Sequence, residues 1–204
     1  MTGEHANIDV LTAIKNRRSN GLVSEEPVPR ELLEKVLEAG TWAPSHHRTE
    51  PWRYFVLTGS GRKPLGEVLA KIAAKNMDDP ESEKNQKKLN VAANNPFRAP
   101  AIITVAVEPS DNPKVDIREE YGAVYASIQN MLLAAHALGL GVYWRTGAPA
   151  YDPIMKKLFC LSEKGKVLGF LYIGYPKREI PAGKRKSVEE VTVWITDEEN
   201  LEVE

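Results

Sequence analysis

Apolar residues recur at helical spacing along residues 8–16, at Ile8, Leu11 and Ile14, with Asn7 or Asp9 placed to cap the turn before them. A second run puts Leu32, Leu33, Val36 and Leu37 on one face and starts at Pro29, a favoured first-turn residue. The stretch "YFVLTG" at 54–59 reads as a buried strand, and "GSGRKPLGEVLAKIAAK" at 59–75 turns sharply into a third helix. Residues 76–99 are polar and unpatterned, which predicts a partly helical excursion or lid. A second buried strand follows at 101–107, "AIITVAV".

The longest periodic segment spans 116–138, where Ile117, Tyr121, Val124, Ile128, Met131, Ala135 and Leu138 form one face. Gly122, Ala123, Ala126, Ser127 and Ala134 make a second, small face. A helix apolar or small on most sides should be buried in the middle of something, and Gly139 ends it in the usual way. Beyond it lie a strand "GVYWRTG", a short helix "YDPIMKKLF" and a strand "KVLGFLYIGYP". Alternation of this kind indicates an α/β or α+β three-layer domain. The tail "VEEVTVWI" at 188–195 looks like a strand with nothing of its own to pair with, and such a strand commonly joins a partner's sheet.

Composition adds bounds. A chain of 204 residues, 42% hydrophobic and 27% charged, suits one soluble domain with a real core. The formal net charge is -1, so no global field draws it to nucleic acid or anionic membrane, and any anion must be met by local cations. Cys160 is the single cysteine, which rules out an internal disulfide and fits a reducing compartment. No signal peptide is evident at the start, and no apolar run is long enough to span a bilayer, so a cytoplasmic protein is expected.

Several motifs fail on inspection. The loop "LTGSGRKPLG" at 57–66 sits where phosphate loops live, but Pro64 occupies the third glycine position of the dinucleotide fingerprint. His46 and His47 suggest metal, yet adjacent side chains diverge on ordinary backbone, and we expect no metal site. There is no GxSxG, and Cys160 follows an apolar helix end, so no hydrolase nucleophile emerges. "NRRSN" at 16–20 is evenly balanced between capping a helix C-terminus and forming an arginine fork for phosphate. A second basic cluster stands in "AGKRKSVEEV" at 182–191; alone it reads as a solvated charged segment. Arg145 falls in a strand that should be buried, where it must either meet a carboxylate or hold a ligand, and we favour the ligand.

These pieces occur together and in order in one family. From "IKNRRSN" through "LLEKVLEAGTWAPSHHRTEPWRYFVLTG", "NNPFRAPAIITVAV", "YGAVYASIQNMLLAAHALGLGVYWRTG" and "VLGFLYIGYP" to "KRKSVEEV", the chain resembles the FMN-dependent nitroreductase family, especially its small single-domain members. The resemblance implies an α+β fold, a three-layer α/β/α sandwich on a mixed, largely antiparallel sheet. It also implies a homodimer with a swapped C-terminal arm and one FMN at each of two sites between subunits. Residues 1–204 would form one domain, with 1–6 flexible, 76–99 a variable excursion and 181–204 the arm.

Carried over by position, the resemblance assigns Arg17, Arg18 and Ser19 to the FMN phosphate and ribityl chain, with Arg185 and Lys184 reaching the same phosphate from the tail. It assigns Trp42, Pro44, Ser45, His46 and Arg48 to a loop that one subunit lays over the other's flavin. Trp144, Arg145 and Thr146 would line the isoalloxazine, with Arg145 against a flavin heteroatom. Many members have amides where this chain has Arg48 and Glu50, so an Arg48–Glu50 pair tying the loop is an equal alternative. The implied activity takes hydride from NAD(P)H and reduces nitroaromatics, quinones or similar electron-poor acceptors by a ping-pong route, with no catalytic side chain beyond the flavin. Reductive dehalogenation, enone reduction or a non-catalytic flavin-binding dimer are the alternatives on the same fold.

Overall fold

The computed structural model describes residues 8–196. Four strands make its sheet: β1 (Trp52–Thr58), β2 (Ala101–Val107), β3 (Gly141–Arg145) and β4 (Lys166–Gly174), in the order β1-β2-β4-β3. Every pairing of these strands is antiparallel, with Trp52 opposite Val107, Ile103 opposite Leu171 and Tyr143 opposite Tyr172. The parallel component is confined to an isolated bridge between Ser19 and Val142. β2 is buried at every position, which is why its sequence is an unbroken apolar run.

Helices cover both faces. On one, α2 (Arg30–Thr41) and α5 (Ile117–Ala137) set Leu33, Val36, Val124, Ile128 and Met131 against Ile103, Val105, Leu171 and Ile173. On the other, α3 (Lys63–Ala74) and α7 (Pro153–Leu158) set Leu65, Val68, Ile72 and Met155 against Ile102, Phe170 and Tyr172. The four-residue α6 (Ala148–Tyr151) adds Ala150 to that second core. The polar excursion at 76–99 contains α4 (Glu83–Asn94), packed on α3. This is the α+β three-layer arrangement expected. Among the described residues, no helix is long and apolar enough to cross a membrane.

Three expectations need correction. α1 (Val10–Asn16) forms, with Asp9 accepting from the Leu11 and Thr12 N–H groups at 3.0 and 3.1 Å, but its apolar face is not covered: Leu11 is 73% exposed and Ala13 alone is buried. α5 buries Val124, Ile128, Met131 and Ala135 as the spacing predicts, yet it is not enclosed on most sides, because Ile117, Gly122, Tyr125 and Gln129 face outward. Among the described residues, α5 packs on α2 and the sheet and is touched by α1 and the 46–48 turn, and these leave that outward face uncovered. Finally, 188–195 is not a strand: Glu189–Val191 is a 3-10 turn, and Val193, Trp194 and Ile195 stand exposed. Strand-forming residue types still need an edge to bond, and this stretch meets none among the described residues. Residues 1–6 and the last part of the expected arm, 197–204, lie outside the described residues.

Gly40 sets how closely α2 approaches α5. A Cβ there would come within 2.8 Å of Met131 Cγ, 2.9 Å of the Tyr54 hydroxyl and 3.0 Å of Ser127 Oγ. Those two hydroxyls share a hydrogen bond of 2.5 Å, and burial pushes the Tyr54 phenol up to about 12. We expect Gly40→Ala to cost about 1–3 kcal/mol through overpacking, against a helix-propensity gain of roughly 1 kcal/mol. The midpoint of urea unfolding measures the balance; a midpoint at or above wild type would mean the two helices can separate freely.

Candidate functional site

The loop that follows α2 is held by α5. Trp42 is 79% exposed at its start, and Pro44 is also exposed. Ser45 Oγ accepts the Glu50 N–H at 3.0 Å and shares a hydrogen bond with Thr49 Oγ1 at 3.3 Å. The Thr49 hydroxyl donates to Glu120, whose other carboxylate oxygen accepts the Ser110 N–H at 2.8 Å. Glu120 is only 2% exposed, a carboxylate buried with its partners in place. Beside it, His46 Nδ1 and Glu119 Oε2 stand 2.6 Å apart.

Backbone geometry completes the loop. His47, Arg48 and Glu50 adopt positive φ of 57°, 53° and 47°. Such conformations cost roughly 1–3 kcal/mol each and persist where surrounding contacts hold them. Arg48 and Glu50 do not pair with each other; Ser45, Thr49, Glu119 and Glu120 do the tying. The His46 and His47 rings, expected to diverge, instead stack at 4.1 Å and 16°, because His47 is left-handed.

A second group gathers at the other end of α5. The chain leaves α1 at Arg17 in extended conformation, and Ser19 bridges Val142 while the Asn20 N–H donates to the Val142 carbonyl at 2.9 Å. Asn20 Nδ2 reaches the Arg178 carbonyl at 2.9 Å, tying this segment to the tail. Arg18 Nη1 donates to the Lys15 and Arg17 carbonyls at 2.7 and 2.8 Å, so it does cap the helix, but its Nε is buried without a partner. Gly183 lies so close that an added Cβ would fall 3.0 Å from Arg18 Nε and 3.1 Å from Arg185 Nη1.

Charge is concentrated there. Burial, then Arg18 and Arg185, hold Arg17 below the usual arginine range. Burial, then Arg17 and Arg18, lower His136. Among the described residues, no carboxylate forms an ion pair with Arg17, Arg18, Lys184 or Arg185. Close, partly buried cations lacking a counter-ion are suited to an anion with several oxygens.

The end of β3 forms a third group. Trp144 faces α5, its ring centroid 6.0 Å from that of Tyr125, and its indole N–H is buried without a partner. Gly169, at φ 152°, gives it room: a Cβ there would lie 2.3 Å from Trp144 Nε1. Arg145 is on the opposite face of the strand, donating from Nη1 to Asn95 Oδ1 and lying 5.4 Å over the Tyr172 ring. Among the described residues no carboxylate pairs with it; an amide and a phenol ring are its partners. A cavity of about 260 Å³ lined by Gly21, Arg98, Tyr143, Arg145 and Tyr172 opens on that side. Thr146 follows, exposed, before Gly147 turns the chain.

The candidate residues therefore fall into separate groups. Glu119, which holds the loop, and His136, beside the arginines, are roughly 25 Å apart at about 1.5 Å per helical residue. A larger groove of about 950 Å³ lies elsewhere, beside edge strand β1, walled by Val28, Leu33, Leu37, Val56 and Pro100. Glu119, Glu120 and Thr49 went unread in the sequence; two glutamates at a helix start are ordinary partners of the helix dipole.

Comparison with known proteins supplies the context. A family model described as the Nitroreductase family matches residues 14–175. The chain is 36% identical over 190 residues to the Escherichia coli (strain K12) protein named "Putative NAD(P)H nitroreductase YdjA", covering 93% of this chain and 99% of that one. Among solved structures, a nitroreductase-like family protein from Bacillus cereus superposes with a TM-score of 0.79 at 28% identity, covering 97% of this chain and all (100%) of that one. A nitroreductase with bound FMN from Bacteroides fragilis gives 0.66 at 26% identity, covering 94% and 100%. With its four strands, its first basic segment and its "APSHHRTEPW" loop all inside the matched residues 14–175, the chain belongs to the nitroreductase family.

Proposed function

We propose that this protein is a homodimeric FMN-dependent oxidoreductase that takes hydride from NAD(P)H and reduces nitroaromatics, quinones or similarly electron-poor acceptors. The observation that carries the reading is the cluster of Arg17, Arg18 and Arg185, which has an unpartnered buried Nε and no carboxylate among the described residues. Those donors fit a phosphate monoester, with Ser19 and Lys184 beside it. FMN, when bound, supplies the hydride acceptance and delivery. The chain's own residues bind, orient and shield; no side chain is required to attack or to transfer a proton.

The separation of the groups along α5 argues for a site shared between subunits. Two α5 helices packed antiparallel through their open Gly122–Tyr125–Gln129 faces would bring the Trp42–Glu50 loop of one chain to the arginine end of the other. Trp42, Pro44, Ser45, His46 and Arg48 would then cover the isoalloxazine, with Trp144 and Thr146 as the wall beneath it. Arg145 lies between these two in the chain, and its guanidinium would have to leave Asn95 to touch the ring. The groove beside β1 is the surface we assign to the partner's Val191, Val193, Trp194 and Ile195, which would bond the free strand edge and complete the arm exchange.

The test is a visible spectrum of the purified protein, identification of the released chromophore, and steady NAD(P)H consumption with a nitroaromatic or quinone. FMN at about one per chain with turnover supports the proposal; bound FMN without turnover would leave only a flavin-binding dimer. The double variant Arg17→Ala, Arg18→Ala should weaken FMN binding by about tenfold or more, since charge-assisted hydrogen bonds contribute roughly 1.5–3 kcal/mol.

Complementation tests the shared site. A chain carrying Arg17→Ala and Arg18→Ala, mixed and refolded with one carrying Trp42→Ala and His46→Ala, should regain activity, because each heterodimer assembles one intact site. No recovery would place both groups on the same flavin within one chain. His136 offers a further reading. Burial and its cationic neighbours lower its pKa, so its protonation disfavours the fold as pH falls through the ordinary histidine range. A phosphate on Arg17 and Arg18 would offset those cations, so we expect FMN to raise the NMR-detected His136 pKa; no upward movement would count against phosphate at this cluster.

A further inference from the structure

We propose that the cavity lined by Gly21, Arg98, Tyr143, Arg145 and Tyr172 receives a carboxylate of the electron acceptor, which makes organic acids the preferred substrates and rests on the flavin reading above. Tyr143 and Tyr172 are direct cross-strand partners, and the Arg145 guanidinium lies 5.4 Å over the Tyr172 ring. Arg98 comes from the 3-10 turn Asn95–Arg98 and is exposed. Among the described residues, no carboxylate forms an ion pair with Arg98 or Arg145. Arg98 also borders the groove beside β1, but its charge is felt in this cavity: burial pushes the Tyr172 phenol up, and Arg145 and Arg98 draw it back. The phenol keeps its proton and is a donor. Two guanidinium groups beside a donor hydroxyl, with no acid among them, match a planar carboxylate.

The cavity's size and place agree with that use. Its volume of about 260 Å³ is below the roughly 300–1,000 Å³ of pockets for drug-sized ligands, which suits one acid-bearing ring and not a dinucleotide. Gly21 keeps it open, because a Cβ there would press on Tyr143 at 3.3 Å from Cγ. β3 is the last strand in the sheet, and the Ser19 bridge meets it at Val142, so Tyr143, Trp144 and Arg145 run on past that contact. Trp144 and Thr146, the wall assigned to the flavin, flank Arg145 in the chain. A molecule lying across this strand end can offer its electron-poor group to the flavin and its carboxylate to the arginines. Arg145 then keeps its bond to Asn95 and takes the acceptor, not the ring, as its ligand.

Steady-state rates of the FMN-loaded protein with 4-nitrobenzoate and 4-nitrobenzamide test this, since the two are alike in size and differ in charge. We expect kcat/KM to favour the acid by about tenfold or more, carried by KM. Arg98→Gln should bring the two KM values together, and Tyr172→Phe, which removes a donor without changing charge, should narrow the gap by a smaller factor. Visible absorbance certifies that each variant holds FMN. Equal kcat/KM for acid and amide in FMN-loaded wild type overturns the carboxylate pocket and leaves the flavin reading standing. A preference that survives in both variants overturns it too, by putting the recognition elsewhere. So does an Arg98→Gln effect confined to the KM of NAD(P)H, which would assign the arginines to the coenzyme's phosphates. Absence of FMN and of turnover with either substrate removes both readings.

Discussion

The two-sidedness of α5 governs the rest of the molecule. One side is an interior surface, with Val124, Ile128, Met131 and Ala135 wholly removed from solvent against the sheet. The other shows a glycine, a tyrosine and a glutamine at helical spacing, with α1 and the exposed Trp42 adding more uncovered apolar surface. A helix this well packed on one side is stiff, so whatever is attached to its ends is held at fixed separation. At the first turn that is the strained loop; near the last, it is the arginine cluster and His136. Exposed apolar groups on several elements together, unlike scattered single residues, mark an interaction face.

Electrostatics follows the same division. The chain is nearly neutral, yet its cations and anions are sorted. Glu119 and Glu120 meet the positive end of the α5 dipole, where carboxylates are stabilised. Arg17 and Arg18 crowd toward the opposite end with Arg185 from the tail. Arg18 partly answers the need of the α1 terminus for donors, and the remaining charge has no carboxylate partner among the described residues. The two readings of "NRRSN" are thus not exclusive: one guanidinium spends a nitrogen on capping and keeps another facing the cluster.

What could be read from the sequence was whatever depends on local period. The β2 run, the buried stripe of α5 and the three-layer class all follow from spacing alone, and the family motif located the loop and both basic segments. What could not be read depends on distant partners. Glu120 looks like any first-turn acid until Thr49 and Ser110 close over it. The divergence of neighbouring histidines assumes an ordinary backbone, and His47 is not in one. Arg145 presents as an orphan charge, but Asn95 comes from a turn fifty positions away. Spacing also states that the face of α1 and the residues at 188–195 are apolar without stating what covers them.

The distance between the two ends of α5 has a consequence for how tightly any shared ligand is held. If half of a binding surface comes from each of two chains, the ligand cannot be retained by a chain alone, and its release becomes coupled to dissociation of the pair. Dilution would then strip the ligand even when its free concentration is kept constant, and the ligand in turn would hold the pair together. A protein built this way carries a gauge of its own abundance: scarce chains are empty, and abundant ones are loaded.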